Sequence, residues 1–262
     1  MLFLTTHTIW YAAILLLVPT TIAATAGPLV IRRFVTLERL RSNNEVAGFK
    51  FATVGVIFAV LLAFAVIVVW EKFNQAEGAV AKEATAGATI IRLSQGIDPE
   101  HGAAIRKATL DYLTTAIARD WPAMEHGRVS AGAIEALGKV YAALLKFHCI
   151  DASEGLVIGE ILRQVDRLSE ARRERLVMAD GTVPGIIWLV LFVGAFLTVG
   201  FTFFFGTENV RAQALMTAAL SFLIFTGLLT IVAIDHPFAG TFKVGPEAIA
   251  GVVADFSRAA AH

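Results

Sequence analysis

Charge is scarce in this sequence, and its distribution is more informative than its amount. Only 17% of the 262 residues are Asp, Glu, Lys or Arg, against about 25% in an ordinary soluble domain. The 22 basic and 22 acidic side chains cancel, so no bulk field draws in nucleic acid or a strongly charged partner. Cysteine is nearly absent. Cys149 is the one thiol, which excludes an internal disulfide and leaves the redox compartment open. Also missing are a P-loop, a Gly-rich dinucleotide fingerprint, an HExxH helix and paired cysteines at metal spacing. No enzyme, cofactor or metal is therefore expected. His101, His126 and His148 match no familiar ligand spacing, and His148 beside Cys149 is the weak metal candidate among them.

What is present is four long apolar runs. They cover about Ile9 to Ile31 (interrupted by Pro19 and Pro28), Phe51 to Trp70, Ile186 to Phe205 and Ala214 to Ile234. Each is near the ~20 residues that a ~30 Å hydrocarbon core requires. Runs two to four contain no Asp, Glu, Lys or Arg. The chain thus reads as an integral membrane protein in the lipid bilayer. The first run ends in a small-residue pattern, Ala24-Thr25-Ala26, like a signal cleavage site. "MLFLTTHTIW" has no basic residue ahead of it, however, so a retained helix is expected. A carrier or pump usually needs an ionisable group within its spans, because such groups are costly and persist where they work. Their absence from spans two to four disfavours that class.

The predicted fold class is all-α: four transmembrane helices with a helical extramembrane domain inserted between the second and third. The expected divisions are 1–70, a helix pair with a basic connector; 71–182, the insert; 183–234, a second helix pair; and 235–262, a tail. In the connector, Ser42-Asn43-Asn44-Glu45 has capping-box spacing and predicts a helix start near Asn43. Asp98-Pro99 predicts an N-cap followed by proline in the first helical position. Ile105, Ala108, Tyr112 and Ala116 share one helical face. After a predicted break at Asp120-Trp121-Pro122, Ile134, Leu137, Tyr141 and Leu144 share another. Asp151-Ala152-Ser153-Glu154 gives a further cap signal. Ile158, Ile161, Val165 and Leu168 then form a seam for a partner helix. The adjoining "RQVDRLSEARRERL" could attract anions or lipid headgroups, but its mixed charges predict a solvated, salt-bridged face. Basic residues Arg32, Arg33, Arg39, Arg41, Lys50 and Arg211 in the connectors favour placing the connectors in the cytoplasm. Arg167, Arg172, Arg173 and Arg175 argue for the insert there instead.

Three features are candidate sites. Gly48, Ala52, Gly55, Ala59 and Ala63 form a small-residue stripe on the second span, suited to close helix packing within a subunit or to a homo-oligomer interface. Thr198 and Thr202 on the third span could line a pore, with Phe192, Phe196 and Phe203 as a constriction; alternatively their hydroxyls bond their own helix. Thr217, Ser221, Thr226 and Thr230 repeat this ambiguity on the fourth. At the end of the fourth span, Asp235 and Pro237 mark a junction clamp or a point of ion access. Proline stops the helix, while an Asp at a helix C-terminus opposes the dipole. A specific partner, such as an arginine, is therefore expected for Asp235.

That junction, "AIDHPFAGTFKVGPEAI", resembles the Asp-x-Pro-Phe-x-Gly…Val-x-Pro signature that closes a bacterial family of bestrophin-like membrane proteins. "RRERLVMADGTVPGIIWLVLFVGAFLTVGFTFFFG", "RSNNEVAGFKFATVGVIFAVLLAF" and "RDWPAMEHGRVS" are similar to the same family, so the resemblance spans nearly the whole chain. It implies the two-spans, helical-middle, two-spans plan. Bestrophins proper are pentameric anion channels with a cytosolic helical domain and a hydrophobic constriction; no motif here carries their pore residues over. By this resemblance the chain is expected to be a homo-oligomeric, multi-pass ion channel of the cell inner membrane, passing inorganic anions. The alternative expectation is a membrane-anchored interaction or sensory scaffold.

Overall fold

The computed structural model describes residues 9–146 and 152–259. All regular elements among them are helical. In chain order, the α-helices are α1 (Ile9–Phe34), α2 (Leu37–Ser42), α3 (Asn44–Leu93), α4 (Pro99–Thr115), α5 (Trp121–Met124), α6 (Ala131–Leu145), α7 (Ala152–Met178), α8 (Gly185–Phe201), α9 (Val210–Ile234) and α10 (Glu247–Ala259). The chain forms two compact units, Met1–Glu71 with Gly181–Asp235 and Lys72–Asp180 with His236–His262. Residues 236–262 thus belong to the same unit as the insert.

In the first unit, α1, α8, α9 and the first part of α3 are long and apolar enough to cross a membrane. Val56, Ile57, Val60, Phe64, Ile67 and Val68 on α3 are all exposed. A soluble monomer rarely carries so continuous an apolar surface, whereas lipid accommodates it. Helix α1 runs unbroken through Pro19 and Pro28, so the predicted interruptions do not occur. Membrane helices tolerate proline because hydroxyls and neighbouring helices satisfy local carbonyls. Thr20 Oγ1 donates to Leu16 O at 2.6 Å and Thr25 Oγ1 to Thr21 O at 2.8 Å, bonds within the helix to carbonyls other than those of Leu15 and Ala24, which the prolines leave without a helical donor. Glycine allows close approach between spans: a Cβ on Gly27 would lie 2.4 Å from the Phe203 ring, and one on Gly194 would lie 2.6 Å from Phe58.

The capping box predicted at Ser42 does not form. Ser42 ends α2, and its hydroxyl donates to Arg39 O at 2.9 Å. Helix α3 starts at Asn44. The Asn44 amide bonds Gly206 in both directions, Nδ2 to O at 2.8 Å and Gly206 N to Oδ1 at 2.7 Å. A bonding pair with a distant loop has replaced the local cap.

In the second unit, Asp98 caps α4 as predicted, accepting from the Glu100 and His101 amides with Pro99 in the first turn. The predicted break at Asp120-Trp121-Pro122 is a π-helical turn, Ala116–Asp120, that runs directly into α5. Pro122 supplies no N–H, and Trp121 N reaches back five residues to Ala116 O, a π-helical register. The interruption comes later, where Gly127 adopts φ +63° and Ser130 caps α6. On α6 the buried face is Ala133, Ala136, Val140 and Leu144, while Ile134 is 54% exposed. The buried face is offset by one residue from the predicted one, with Leu144 common to both and Leu137 and Tyr141 partly buried beside it. Ile161, Val165 and Leu168 are fully buried, as their spacing predicts. His148, Cys149 and Asp151 lie outside the described residues.

Candidate functional site

Each predicted site residue of the membrane unit has a definite setting. Along the stripe on α3, Ala52, Ala59 and Ala63 are exposed, while Gly48 and Gly55 are half-buried. A Cβ on Gly55 would meet nothing within 4 Å. The inward positions of this part of α3 are instead Phe58, Ala65 and Val69. Thr198 is buried, and its hydroxyl donates to Gly194 O at 2.7 Å; Thr202 donates to Val199 O at 2.6 Å. On α9, Thr226 and Thr230 likewise bond their own helix, whereas Ser221 Oγ reaches Thr20 O on α1 at 3.3 Å.

Asp235 is 2% exposed. Its Oδ1 accepts from the backbone N–H groups of both Thr182 and Val183 at 2.9 Å. Its carbonyl accepts from the Thr182 hydroxyl at 3.2 Å. The specific partners expected for Asp235 include two backbone amides just ahead of α8, which receive the carboxylate. A carboxylate disfavoured at the end of its own helix is stabilised near the positive end of the next. In the second unit, Pro237 is buried and its carbonyl accepts from Val244 N at 2.7 Å. The turn between them uses Gly240 at φ +88°, a conformation open to glycine at little cost.

At the connector end of the membrane unit, Gln213 is buried near the start of α9. Its Nε2 donates to Thr202 O at 3.2 Å and Phe205 O at 2.7 Å. This fixes Oε1 as an acceptor for the Thr207 hydroxyl at 3.2 Å and for Arg32 Nη2 at 3.3 Å. Arg32 Nη2 also donates to the Thr207 carbonyl.

The densest buried chemistry lies in the second unit. Glu83, Tyr112, Asp120 and Arg175 are fully buried and Arg172 is nearly so. Arg175 Nε and Nη2 meet Glu83 Oε2 and Oε1 at 2.6 and 3.0 Å, and Nη2 reaches Asp120 Oδ2 at 3.2 Å. Arg172 grips Asp120 in a fork, at 2.9 Å from Nε and 3.1 Å from Nη2. Tyr112 donates to Glu83. The guanidinium of Arg175 lies 4.4 Å from the Trp121 ring centroid, a cation–π contact. Trp121 Nε1 donates to Val244 O at 3.2 Å, and its ring stands edge-on to Phe238. Burial, then the Glu83 charge, drive the Tyr112 pKa well above its ordinary value. Burial lowers that of Arg175, but Glu83, Tyr112 and Asp120 outweigh it and the net shift is upward.

The solvated, salt-bridged face expected of the arginine-rich helix is present at Arg163, Asp166, Arg167, Glu170 and Arg173, which are exposed, and is corrected at Arg172 and Arg175. Glu174 does face outward, 3.0 Å from Lys82, but Arg172 and Arg175 point inward. Their signal was in the sequence: three- and four-residue steps from Ile161, Val165 and Leu168 lead to Arg172 and Arg175. Glu83 lies likewise on the inward row of Ala76, Val80 and Ile90. Two arginines and two carboxylates balance each other in a fully bonded cluster with no open coordination, so the arrangement holds helices together. His101 Nδ1 lies 2.9 Å from Asp98 Oδ2, and His126 Nδ1 lies 3.0 Å from Pro122 O. Among the described residues no three His, Cys, Asp or Glu side chains gather as a metal site.

Comparisons agree with this architecture. The family model for the Bestrophin-like domain matches residues 18–249. A bacterial bestrophin homolog from Klebsiella pneumoniae, solved by zinc phasing, aligns with a TM-score of 0.68 at 14% identity, covering 90% of this chain and 95% of that one. A point variant of a bacterial bestrophin homolog from Klebsiella pneumoniae gives 0.70 at 13% identity, over 93% of this chain and 98% of that one. At such identities the likeness is one of fold. No curated protein matches the sequence.

Proposed function

The chain belongs to the bestrophin-like family, and on that premise we propose that it is a membrane channel that passes inorganic anions as a homo-oligomer in the cell inner membrane. The carrying observation is the uncovered small-residue face of α3. Gly55 has open space where a side chain would go, and Ala52, Ala59 and Ala63 are exposed. Between helices in lipid, association depends on close backbone contact, which small residues permit. Spans two to four also lack ionised side chains, which supports a neutral path selected by dipoles and dimensions over one built on a titrating carrier group.

Reconstitution into liposomes tests conduction directly. Chloride flux above that of empty vesicles, exceeding sodium flux, supports the reading; an ion-tight symmetric assembly indicates a scaffold. Gly55→Leu tests assembly. A Cβ at Gly55 meets nothing within one protomer, so a shift from oligomer to monomer in native-detergent sizing, with helical content retained, is the expected result. An unchanged oligomer would remove this face from the interface.

A further inference from the structure

We propose that the connector end of the membrane unit is an anion-binding site centred on Arg32. Its ligand is a singly charged acceptor of N–H hydrogen bonds, supplied either as a dissolved inorganic anion or as the phosphodiester of an anionic lipid.

The case begins with charge compensation. Arg32 lies in the last turn of α1 and is half-buried. Its bonding partners are neutral: the Thr207 carbonyl, the Thr207 hydroxyl at 3.4 Å and Gln213 Oε1 at 3.3 Å. All of them use Nη2. Nε is buried without a partner, Nη1 makes no bond, and no carboxylate pairs with Arg32 among the described residues. A guanidinium taken partly out of water without a counter-charge is costly. The other inward arginines differ: Arg172 and Arg175 are each held by carboxylates. Even the more exposed Arg41 is paired with Glu208.

The surroundings are built to hold Arg32 and leave its charge unneutralised. Gln213 cannot easily turn away, because Phe205 and Thr202 carbonyls hold its amide. Asn209 caps α9 by accepting from the Arg211 and Ala212 amides, so its carboxamide oxygen is committed. Asn44 fixes the loop at Gly206. The connectors also carry Arg33, Arg39, Arg41, Lys50 and Arg211 against Glu38, Glu45 and Glu208, a positive excess that raises the local concentration of anions. An anion bound at Nη1 would neutralise a charge that the chain leaves without a carboxylate.

The inference fits anion conduction but is tested by equilibrium binding, separately from flux. The full chain is placed in phosphatidylcholine nanodiscs, and its Tm is compared in sodium bromide and sodium gluconate at equal ionic strength. Bromide should raise the wild-type Tm by roughly 2–4 °C. Arg32→Gln should lose that response and Arg32→Lys should recover part of it. Adding phosphatidylglycerol in gluconate identifies the other source: a rise that depends on Arg32 assigns the site to a lipid phosphate. Thr207→Asp provides a second test by placing a carboxylate beside the guanidinium; it should abolish both responses. Equal bromide and lipid responses in wild type and Arg32→Gln, or an undiminished response in folded Thr207→Asp, would overturn the site. An Arg32-dependent response in a protein that passes no chloride supports the site and removes the conduction reading alone.

Discussion

Arg175 and Glu83 face each other as a two-pronged pair, Nε to Oε2 at 2.6 Å and Nη2 to Oε1 at 3.0 Å, with neither side chain exposed. They are 92 residues apart in the chain, so the pair ties α7 to α3. Such a pair need not exceed a well-packed apolar one in stability, but removing one partner leaves a buried charge alone. Arg175→Ala is expected to lower stability by about 3–5 kcal/mol. Arg175→Met with Glu83→Leu should recover most of the loss. Chemical denaturation of the purified protein measures both, and a single variant that unfolds at the wild-type midpoint would refute the assignment.

Tyr112 gives the cluster a dependence on alkaline pH. Its folded pKa is raised, by burial first and Glu83 second, so the protonated phenol is favoured in the fold. That contribution is complete below the ordinary tyrosine value of about 10 and is lost as pH rises towards the folded value. Wild-type Tm should therefore fall more steeply above pH ~10 than that of Tyr112→Phe, which starts lower because Glu83 loses a donor. Parallel curves for the two proteins would contradict this role.

Asp235 acts through two amides, so its contribution should follow accepting strength. Asp235→Ala is expected to cost about 0.5–2 kcal/mol, the range for losing a helix-capping side chain. Asp235→Asn, which can still accept, should cost less. Ion selectivity should be unchanged in whichever variant folds. A selectivity change in a stable Asp235→Asn protein would reassign the residue to ion access.

Two glycines are fixed by backbone neighbours that cannot swing aside. A Cβ on Gly102 would lie 2.1 Å from Ser94 O, and one on Gly206 would lie 2.6 Å from Arg41 N. Both alanine variants should be destabilised by about 1–3 kcal/mol through forced backbone shifts. Gly138→Ala, which meets open space on a helix, should be neutral or stabilising. Thermal melts of the three variants provide the comparison.

The sequence by itself determined the membrane spans, the helical class and the Asp98 cap. Each depends on chemistry within a few residues: a missing charge over twenty positions, a 3.6-residue period, or a carboxylate ahead of proline. The Ile161, Val165 and Leu168 seam was legible for the same reason, and extended by its own step it reaches Arg172 and Arg175. Their inward direction was hidden because a charged side chain reads as exposed until an opposite charge is placed beside it. Only the tertiary structure brought Glu83 and Asp120 there. It likewise set Asp235 against the Thr182 and Val183 amides, replaced the Ser42 cap with the Asn44–Gly206 pair and left Arg32 among neutral oxygens. Local pattern shows that a group must be solvated or paired; which partner it finds depends on distances between segments far apart in the chain, and those exist only once the helices have packed.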